Sequence, residues 1–325
     1  MVLPGHPGRS TERSVMLFAG FDAGQTRTRC RISRWTTDGW MTVCEGQGSG
    51  VCHLDAPNGA ALFRDAVRSS LQAALGQRDA MEVDAAVIGA SGIEQGTTLQ
   101  QRAGDLIAQE LVMQPDRVLA TGDERTALRG AFPDSPGIVL ISGTGMICIG
   151  RNARGEEARS GGWGWLLDGG GAAFDLGHQG LQLSLRMADG RLPDHPLRQR
   201  LWNAMNCHSS AQVKAMVVNP DFGAAGFAAL APLVVTAAEE GLESASNILR
   251  RSAQVLAECV ITVGGRLDLA TPQIAARGGA IWHLQGYRRM IEEVLSHQLP
   301  QAQWSDAAGD ACDGALTLAR ELRQR

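Results

Sequence analysis

The sequence predicts an α/β fold with two domains, each built on a mixed sheet that helices cover. The chain has 325 residues, and single hydrophobic cores stop growing at about 250–300 residues. Predicted strands and helices alternate along much of the chain. A strand–glycine turn–strand unit at 15–35 recurs in kind at 137–151, which indicates two related halves. We therefore expect domains at 15–121 and 122–325, with the last helix able to pack back on the first domain.

The first domain is predicted to follow the order β-β-β-α-β-α-β. Residues 27–35 alternate polar and apolar side chains, as a half-buried strand does, and 84–90 are continuously apolar. Between 57 and 75 the apolar residues recur at helical spacing. The predicted strands are 15–21, 27–35, 40–46, 84–90 and 116–121, and the predicted helices are 57–75 and 97–113. Residues 1–14 lack an apolar signal core, so we expect a disordered extension there.

The second domain is predicted to begin with a helix from Asp123 to Ala131. A strand, a glycine turn and a second strand follow at 137–152, and the chain is then mostly helical from 172 to 264. One buried strand is expected at 272–279, and two helices at 281–297 and 312–323 complete the domain.

Composition argues against several classes of protein. The net charge of −4 and the pI near 6.0 do not suit a protein that binds nucleic acid or a membrane surface, because those partners require a basic face. No apolar run approaches the ~20 residues that span a bilayer. The seven cysteines are scattered and form no C-x-x-C pair, so neither a zinc site nor a redox couple is indicated. This cysteine usage favours a cytoplasmic location.

Glycine is enriched and clustered. The chain has 40 glycines, above the ordinary share of about 7%. They gather in "GQGSG", "SGTG", "SGGWGW" and "DGGGA". Clusters of this kind predict tight turns or a backbone that approaches a ligand closely.

Two of the glycine turns have the features of phosphate sites. In "FDAGQTRT" a strand ends at Asp22, and Gly24, Thr26 and Thr28 follow; backbone N–H groups in such a turn can surround phosphate oxygens. Asp22 could hold Mg²⁺ through water, although a β-turn in which Asp22 caps its own backbone explains the pattern equally well. Ser142-Gly-Thr-Gly145 is a similar turn between strands. Neither turn is a P-loop or a Rossmann turn.

Two further segments carry chemistry. "ARGGA" at 276–280 places a glycine pair after a buried strand and before a helix, where a nucleobase can approach the backbone. In "ATGDERTALRG", Asp123 follows a strand at the start of a helix. A helix N-cap is the simpler explanation of that aspartate.

The order and spacing of these segments resemble the actin-like ATPase superfamily, which includes sugar kinases, actins and heat-shock chaperone ATPases. Within it the sequence is most similar to the N-acetylglucosamine kinase group, the BadF/BadG/BcrA/BcrD ATPase-like family, over roughly 15–325. The segments that carry the resemblance are "FDAGQTRT", "GDERTAL", "VLISGTG", "SGGWGWLLDGGG", "ARGGA" and "DACDGALTLA".

The resemblance implies two ribonuclease H-like domains with ATP in the cleft between them, and ATP and Mg²⁺ as cofactors. It makes Asp123 the catalytic base and Asp22 the residue that holds Mg²⁺ through water. The implied ATP-binding residues are Asp22, Gly24, Gln25, Thr26, Thr28, Gly143, Thr144, Gly145, Gly278 and Gly279. The implied sugar-binding residues are Gly161, Gly162, Trp163, Gly164, Asp168 and His53.

The sequence departs from the family pattern at two places. Where the family has Gly-Asp-Glu-Gly-Ser, this chain has Asp168-Gly-Gly-Gly-Ala172, so the aspartate is displaced by one residue. Val51 and Cys52 stand where the family has a sugar-binding asparagine, and His53 is the candidate replacement.

The implied function is ATP-dependent phosphorylation of an amino sugar, with N-acetylglucosamine converted to its 6-phosphate. Glucosamine kinase is the near alternative. An ATPase that activates a 2-hydroxyacyl-CoA dehydratase would need cysteines arranged for an iron–sulfur cluster, and no suitable arrangement is visible. A non-catalytic sugar sensor would be favoured if Asp123 were absent, but it is present. Ala-rich helices in the second half could form the face of a homodimer.

Overall fold

The structure is a computed structural model that describes residues 16–78 and 81–324. The predicted extension at 1–14 lies outside these residues. The chain divides into two compact units. The first ends at Thr126 and includes the C-terminal segment from Ala311, and the second comprises Ala127–Asp310. This division falls five residues after the boundary at 121 expected from the sequence, and it assigns the last helix to the first unit.

The first part of the chain has the predicted element order. In this part the sequence-based bounds differ from the observed ones by no more than about three residues. The elements are β1 (Leu17–Ala23), β2 (Arg27–Thr36), β3 (Gly39–Ser49), α1 (Gly59–Leu75), β4 (Ala85–Ala90), α2 (Thr98–Leu111), β5 (Val118–Thr121) and α3 (Asp123–Ala131). A short 3₁₀ turn, Pro115–Arg117, precedes β5.

Helices α1 and α2 form because their sequences supply one buried face and, for α2, a cap. Helix α1 buries Phe63, Ala66, Val67, Ser70 and Ala74, which recur at the spacing of one helical face. Helix α2 begins after Thr97, whose hydroxyl accepts a hydrogen bond from the Gln100 N–H at 3.2 Å. That bond satisfies one of the N–H groups left unpaired at a helix start.

The remaining elements form the second unit and the C-terminal helix. They are β6 (Gly137–Ser142), β7 (Met146–Arg151), β8 (Glu157–Gly161), α4 (Trp165–Asp168), α5 (Ala173–Ala188), α6 (Pro196–Ala204), α7 (Ser210–Val217), α8 (Gly223–Ala228), α9 (Ala231–Glu239), α10 (Glu243–Arg266), β9 (Gln273–Arg277), α11 (Gly279–His283), α12 (Gln285–Gln298), β10 (Gln303–Trp304) and α13 (Ala311–Gln324).

Several of these elements differ from the prediction. Strands β8 and β10 are absent from it, because β8 reads as polar in the sequence and β10 has only two residues. The helix predicted at 281–297 is two helices, α11 and α12. They meet at Leu284, whose backbone angles (φ −100°, ψ 79°) are not helical.

The two sheets repeat one topology. The first is a five-stranded sheet in the order β3-β2-β1-β4-β5, and the second is a five-stranded sheet in the order β10-β9-β6-β7-β8. In each sheet the first three strands in sequence pair antiparallel, the fourth pairs in parallel with the first, and the fifth pairs in parallel with the fourth. The prediction of two related α/β halves, each with a mixed sheet and flanking helices, is therefore confirmed.

Helix α13 packs on the sheet of the first unit at Gly20 of β1. A Cβ atom on Gly20 would lie 2.7 Å from the Cys312 carbonyl oxygen and 3.0 Å from Leu316. Phe18, Val87, Ala315 and Leu316 form the buried core between this helix and the sheet. The other face of the same sheet has its own core, in which Phe21, Ile88 and Phe63 take part.

The second unit has one large core. It joins β6 and β7 to helices α5, α9, α10 and α12. Among the described residues, no helix combines the length and apolar character that a membrane span requires.

Candidate active site

The carboxyl edge of the first sheet brings two predicted acids into one area. Asp22 is the register partner of Gly89 in β4, and Gly89 is the partner of Thr121 in β5. Adjacent strands lie about 4.8 Å apart, so these three residues form a row across the sheet. Asp123 follows Thr121 by two residues as the first residue of α3. In open α/β sheets this edge is where ligands bind.

The environment of Asp123 strongly raises the pKa of its carboxyl group. Its pKa is raised from 3.8 to about 7, chiefly by burial and to a smaller extent by the negative charges of Glu124 and Asp22. Hydrogen bonds from its own backbone N–H and that of Glu124 act in the opposite direction. Strongly shifted acids of this kind cluster at functional sites.

Asp22 and the turn after it form the second part of this edge. An Arg29 guanidinium nitrogen lies 2.9 Å from an Asp22 carboxylate oxygen. The Gly24 N–H donates to the Arg27 carbonyl at 3.0 Å, which closes the turn and leaves the Gln25 and Thr26 side chains exposed. Thr28 differs from the prediction, because it pairs with Ala23 inside the ladder and is fully buried. Its hydroxyl is therefore not presented to a ligand on the turn.

The segment around His53 lies at the same edge. The Val51 N–H donates to the Gly24 carbonyl at 3.0 Å, so the segment is attached to the first turn, and Val51 itself is buried. His53 is exposed, and its Nδ1 accepts from the Asp55 N–H at 3.3 Å. Its ring edge would lie 3.3 Å from a Cβ on Gly92, just beyond β4. Asp22, Gly24, His53 and Asp123 thus all belong to one edge of the first unit.

In the second unit, the turn Ser142–Gly145 and the glycine pair of "ARGGA" meet at one edge. Strands β6 and β9 are parallel neighbours, with Ile141 opposite Arg277. The Gly143 N–H donates to the Gly145 carbonyl at 2.8 Å, and Thr144 is exposed at the tip of the turn. Gly278 has φ +96°, and a Cβ on it would lie 2.3 Å from the Ser142 carbonyl oxygen. Only glycine fits there, so the two predicted nucleotide motifs contact each other directly.

A hydrogen-bond network that sequence reasoning missed holds this turn in place. The carbonyl of Gly171 accepts from the Ser142 hydroxyl at 2.7 Å and from the Tyr287 hydroxyl at 2.9 Å. The Gly143 carbonyl accepts from the Ala173 N–H at 2.8 Å. Burial raises the pKa of Tyr287 well above its usual value, so this phenol remains a donor.

Asp175 completes the network on α5. Its carboxylate accepts from the Gly171 N–H at 3.0 Å, the Gln179 side-chain amide at 2.8 Å and the Ser252 hydroxyl at 2.5 Å. In the sequence, Asp175 ends the stretch "GGGAAFD", which begins within the segment that departs from the family pattern.

The predicted sugar loop, Gly161–Asp168, follows β8 at this edge of the second sheet. Gly161, Gly162 and Gly164 have φ of +78°, +83° and +87°, in the region that favours glycine. The Trp163 side chain is 63% exposed, and the Arg159 guanidinium lies 4.4 Å from its ring centroid. Leu166 and Leu167 on α4 are 76% and 87% exposed. Large apolar groups held this far out of a core indicate a surface that contacts something else.

A cavity of about 590 Å³ lies beside this loop. One wall is made of Gly161, Trp163 and Asp168, and the other of Glu258 and its neighbours on α10. Burial raises the pKa of the Cys259 thiol in this wall, and the charges of Asp168 and Glu258 raise it further. Two carboxylates, Asp168 and Glu258, therefore line the cavity, and only Asp168 was identified from the sequence.

No group of three or more His, Cys, Asp or Glu side chains with metal-binding geometry occurs in the described part of the chain. Mg²⁺ keeps most of its waters and needs only one or two carboxylates. Asp22, whose charge contributes to the raised pKa of Asp123, is a donor set of that limited kind.

Two sheets of one repeated topology, each with a glycine turn between its first two strands, are the arrangement expected of an actin-like ATPase. The match to a known family is direct: residues 19–319 match the BadF/BadG/BcrA/BcrD ATPase family, and the chain belongs to it. Membership in an ATPase family implies the use of ATP, as expected from the sequence.

Curated relatives and a solved structure support the same class. The chain is 26% identical over 206 residues to the N-acetylmuramic acid/N-acetylglucosamine kinase of Clostridium acetobutylicum, covering 63% of this chain and 67% of that one. It is 28% identical over 187 residues to the N-acetyl-D-glucosamine kinase of Dictyostelium discoideum, covering 56% of this chain and 59% of that one. A crystal structure from Chromobacterium violaceum, provisionally named an N-acetylglucosamine kinase, superposes with a TM-score of 0.75 at 26% identity, covering 94% and 99% of the chains. These matches confirm the prediction of a sugar kinase.

Proposed function

We propose that this chain transfers the γ-phosphate of ATP to an amino sugar, converting N-acetylglucosamine to its 6-phosphate, with Asp123 as the general base. The observation that carries the proposal is the Asp123 carboxyl group, which burial poises at a pKa of about 7 on the sheet edge beside Asp22. The names of the relatives supply the substrate class.

Asp123 would orient the sugar hydroxyl and accept its proton as the hydroxyl oxygen attacks the γ-phosphorus. A base is most effective when its pKa lies near the working pH, because it is then deprotonated and still basic enough to take a proton. Phosphoryl transfer requires little else of the protein except positioning and charge stabilisation. A carboxylate with an ordinary pKa near 3.9 would be a weaker base.

The two glycine turns would hold the phosphates of ATP. In the first unit these contacts would come from Gly24, Gln25 and Thr26, and in the second from Gly143, Thr144 and Gly145. Gly278 and Gly279 would meet the adenosine. Mg²⁺, held through water at Asp22, would neutralise charge that develops on the transferred phosphoryl group.

Glucosamine is the second candidate substrate, and one observation favours it. Asp168 and Glu258 both line the cavity beside the sugar loop. Two carboxylates at this place would attract the ammonium group of glucosamine more than the neutral acetamide of N-acetylglucosamine. Gly161, Gly162, Trp163 and Gly164 would then hold the sugar ring through the backbone of the loop.

The test is a steady-state assay with coupled ADP detection on glucose, glucosamine and N-acetylglucosamine. We expect kcat/KM for at least one amino sugar to exceed that for glucose by roughly tenfold or more, since a site built to pair a polar substituent rejects an analogue that lacks it. Phosphorus–proton correlation NMR of the product identifies the hydroxyl that is phosphorylated. Equal kcat/KM values for all three sugars would contradict the proposal.

Two variants separate the candidate substrates. Asp168→Asn and Glu258→Gln remove one carboxylate each with little change in shape. If glucosamine is the substrate, both should lower its kcat/KM by about threefold to tenfold and leave N-acetylglucosamine unaffected.

The remaining alternatives have their own readouts. A dehydratase activator would purify with a brown iron–sulfur chromophore, whereas six of the seven cysteines of this chain are buried. A sugar sensor would bind an amino sugar in a calorimeter without releasing ADP.

A further inference from the structure

A second cavity lies in the helical layer of the second unit, separate from the one beside the sugar loop. It measures about 420 Å³. Small-molecule sites have volumes of about 300–1,000 Å³, apolar walls and a few polar groups. The apolar wall is formed by Leu181, Leu185, Val213, Val217 and Phe227, from helices α5, α7 and α8. The polar rim is formed by His178, Gln182, Asp189, Arg191, Ser210 and Lys214.

Lys214 gives this cavity its charge. It is the one lysine in the whole sequence, in a chain whose other basic side chains outside histidine are arginines. Among the described residues it has no ion pair and no hydrogen bond, and it is exposed. The Arg191 guanidinium, by contrast, lies 2.6 Å from Asp189, so those two charges offset each other. The rim therefore carries one uncompensated positive charge next to an apolar wall.

Aromatic contacts connect the cavity to the predicted sugar loop within the second unit. The His178 ring stacks on Phe174 with a centroid distance of 5.4 Å, and it meets Phe227 edge-on at 5.1 Å. Phe174 in turn packs against Trp165 of α4 at 5.1 Å. A molecule in the cavity that touches His178 or Phe227 therefore lies two side chains from Trp165. Packed rings such as these shift together rather than deform independently.

We propose that this cavity is an effector site for a small molecule with an apolar, ring-sized body and one carboxylate. The body would occupy the wall between Leu185 and Phe227, and the carboxylate would pair with Lys214. Occupancy would change the packing of His178 and Phe174 and, through Trp165, the conformation of the sugar loop. The part of the proposal that concerns sugar affinity depends on the function proposed above, whereas the binding does not.

The single lysine makes the binding directly measurable. Reductive ¹³C-methylation of the intact protein keeps the charge of Lys214 and produces one ε-amine signal in addition to that of the chain terminus. We use 4-phenylbutyrate as the probe and 4-phenylbutylamine, with the same body and opposite charge, as its control. The Lys214 signal should shift saturably with 4-phenylbutyrate, and the amine should bind at least tenfold more weakly. No saturable shift, or equal binding of both probes, would overturn the proposal.

Two variants locate the probe. Leu185→Trp fills the cavity and should weaken 4-phenylbutyrate binding at least tenfold, measured by equilibrium dialysis. Lys214→Gln should weaken it about threefold to tenfold, Lys214→Arg should restore it, and Arg250→Gln, an exposed charge elsewhere on the same unit, should have no effect. Retention of binding in Leu185→Trp would mean that the probe occupies another place.

The link to the sugar loop has two readouts. Hydrogen exchange of residues 161–174 should change at least twofold when 4-phenylbutyrate is bound, and not in Leu185→Trp. In the kinase assay, 4-phenylbutyrate should change the KM of the wild-type protein for the sugar at least threefold. Without the probe, the Leu185→Trp variant should have the wild-type kcat. Binding without a change in exchange would overturn the effector role, and this outcome does not depend on kinase activity.

Discussion

At the scale of single residues, Asp123 carries most of the proposed chemistry. Asp123→Asn keeps the shape of the side chain but removes the base, so turnover should fall by roughly 10²–10⁴ while ATP binding is retained. The wild-type kcat/KM should rise with pH through a midpoint near 7, because Asp123 must lose its proton to act. Asp116→Asn, an exposed acid in the turn before β5, is the matched control. Turnover of Asp123→Asn within tenfold of wild type would contradict the assignment.

The raised pKa of Asp123 should lower the free energy of unfolding at neutral and higher pH. Between about pH 4 and pH 7 the folded state keeps a proton on Asp123 that the unfolded state has released, so stability falls as the pH rises through this window and is constant above it. A shift of about three units corresponds to up to ~4 kcal/mol. Asp123→Asn should therefore be more stable than wild type at pH 8, and the difference should vanish near pH 4. Urea unfolding of both proteins at the two pH values measures it.

Asp22 should act on the metal rather than on the sugar. Asp22→Ala removes the carboxylate that is proposed to hold the water shell of Mg²⁺, so the Mg²⁺ concentration for half-maximal rate should rise several-fold with little change in sugar KM. The measurement is a Mg²⁺ titration of the rate for both proteins. Arg29→Ala, which removes the ion-pair partner and keeps the carboxylate, separates loss of charge from loss of the pair. A loss of sugar affinity with unchanged metal dependence would place Asp22 elsewhere in the site.

At the scale of secondary-structure elements, close approach to a glycine decides how α13 packs. Gly20→Ala would place a methyl group 2.7 Å from a backbone oxygen of α13, so the helix must move, and we expect a loss of about 1–3 kcal/mol. Gly104→Ala in α2 meets no atom within 4 Å. It should instead stabilise the protein by about 0.4–1 kcal/mol. Thermal unfolding of the two variants measures both effects. Equal changes in stability would contradict a close contact between Gly20 and α13.

Much of the secondary structure could be predicted from the sequence, and the features that could not be predicted have physical causes. The strand–turn–strand units and the helix from Asp123 have local signatures in apolar runs and glycine clusters. Strand β8 does not, because it pairs with β7 through its backbone and carries polar side chains. The position of Thr28 depended on register, which moves a side chain from one face of a strand to the other with a shift of one residue. Tyr287 lies 116 residues from its partner Gly171, and no local pattern reports such a contact.

At the scale of the whole molecule, the first unit is discontinuous in sequence. Residues 16–126 alone should fail to unfold cooperatively, because the apolar face around Phe18 and Val87 would lie open. The same segment with 311–324 fused to it through a flexible linker of about 20 residues, which reaches roughly 25 Å, should recover a cooperative transition. Circular dichroism during urea titration of the two fragments checks this. A cooperative transition in the shorter fragment would show that α13 adds little.

Because α13 closes the first sheet, the order of synthesis and the order of folding differ in this protein. Domains ordinarily fold as they leave the ribosome, beginning from the N-terminus. Here the strands that carry Asp22 are translated early, but the helix that covers their open face follows only after the entire second unit. The second unit, which is continuous, can fold first. The nascent first sheet must meanwhile be protected from aggregation, so expression of this protein should be unusually sensitive to chaperone supply and to the speed of translation.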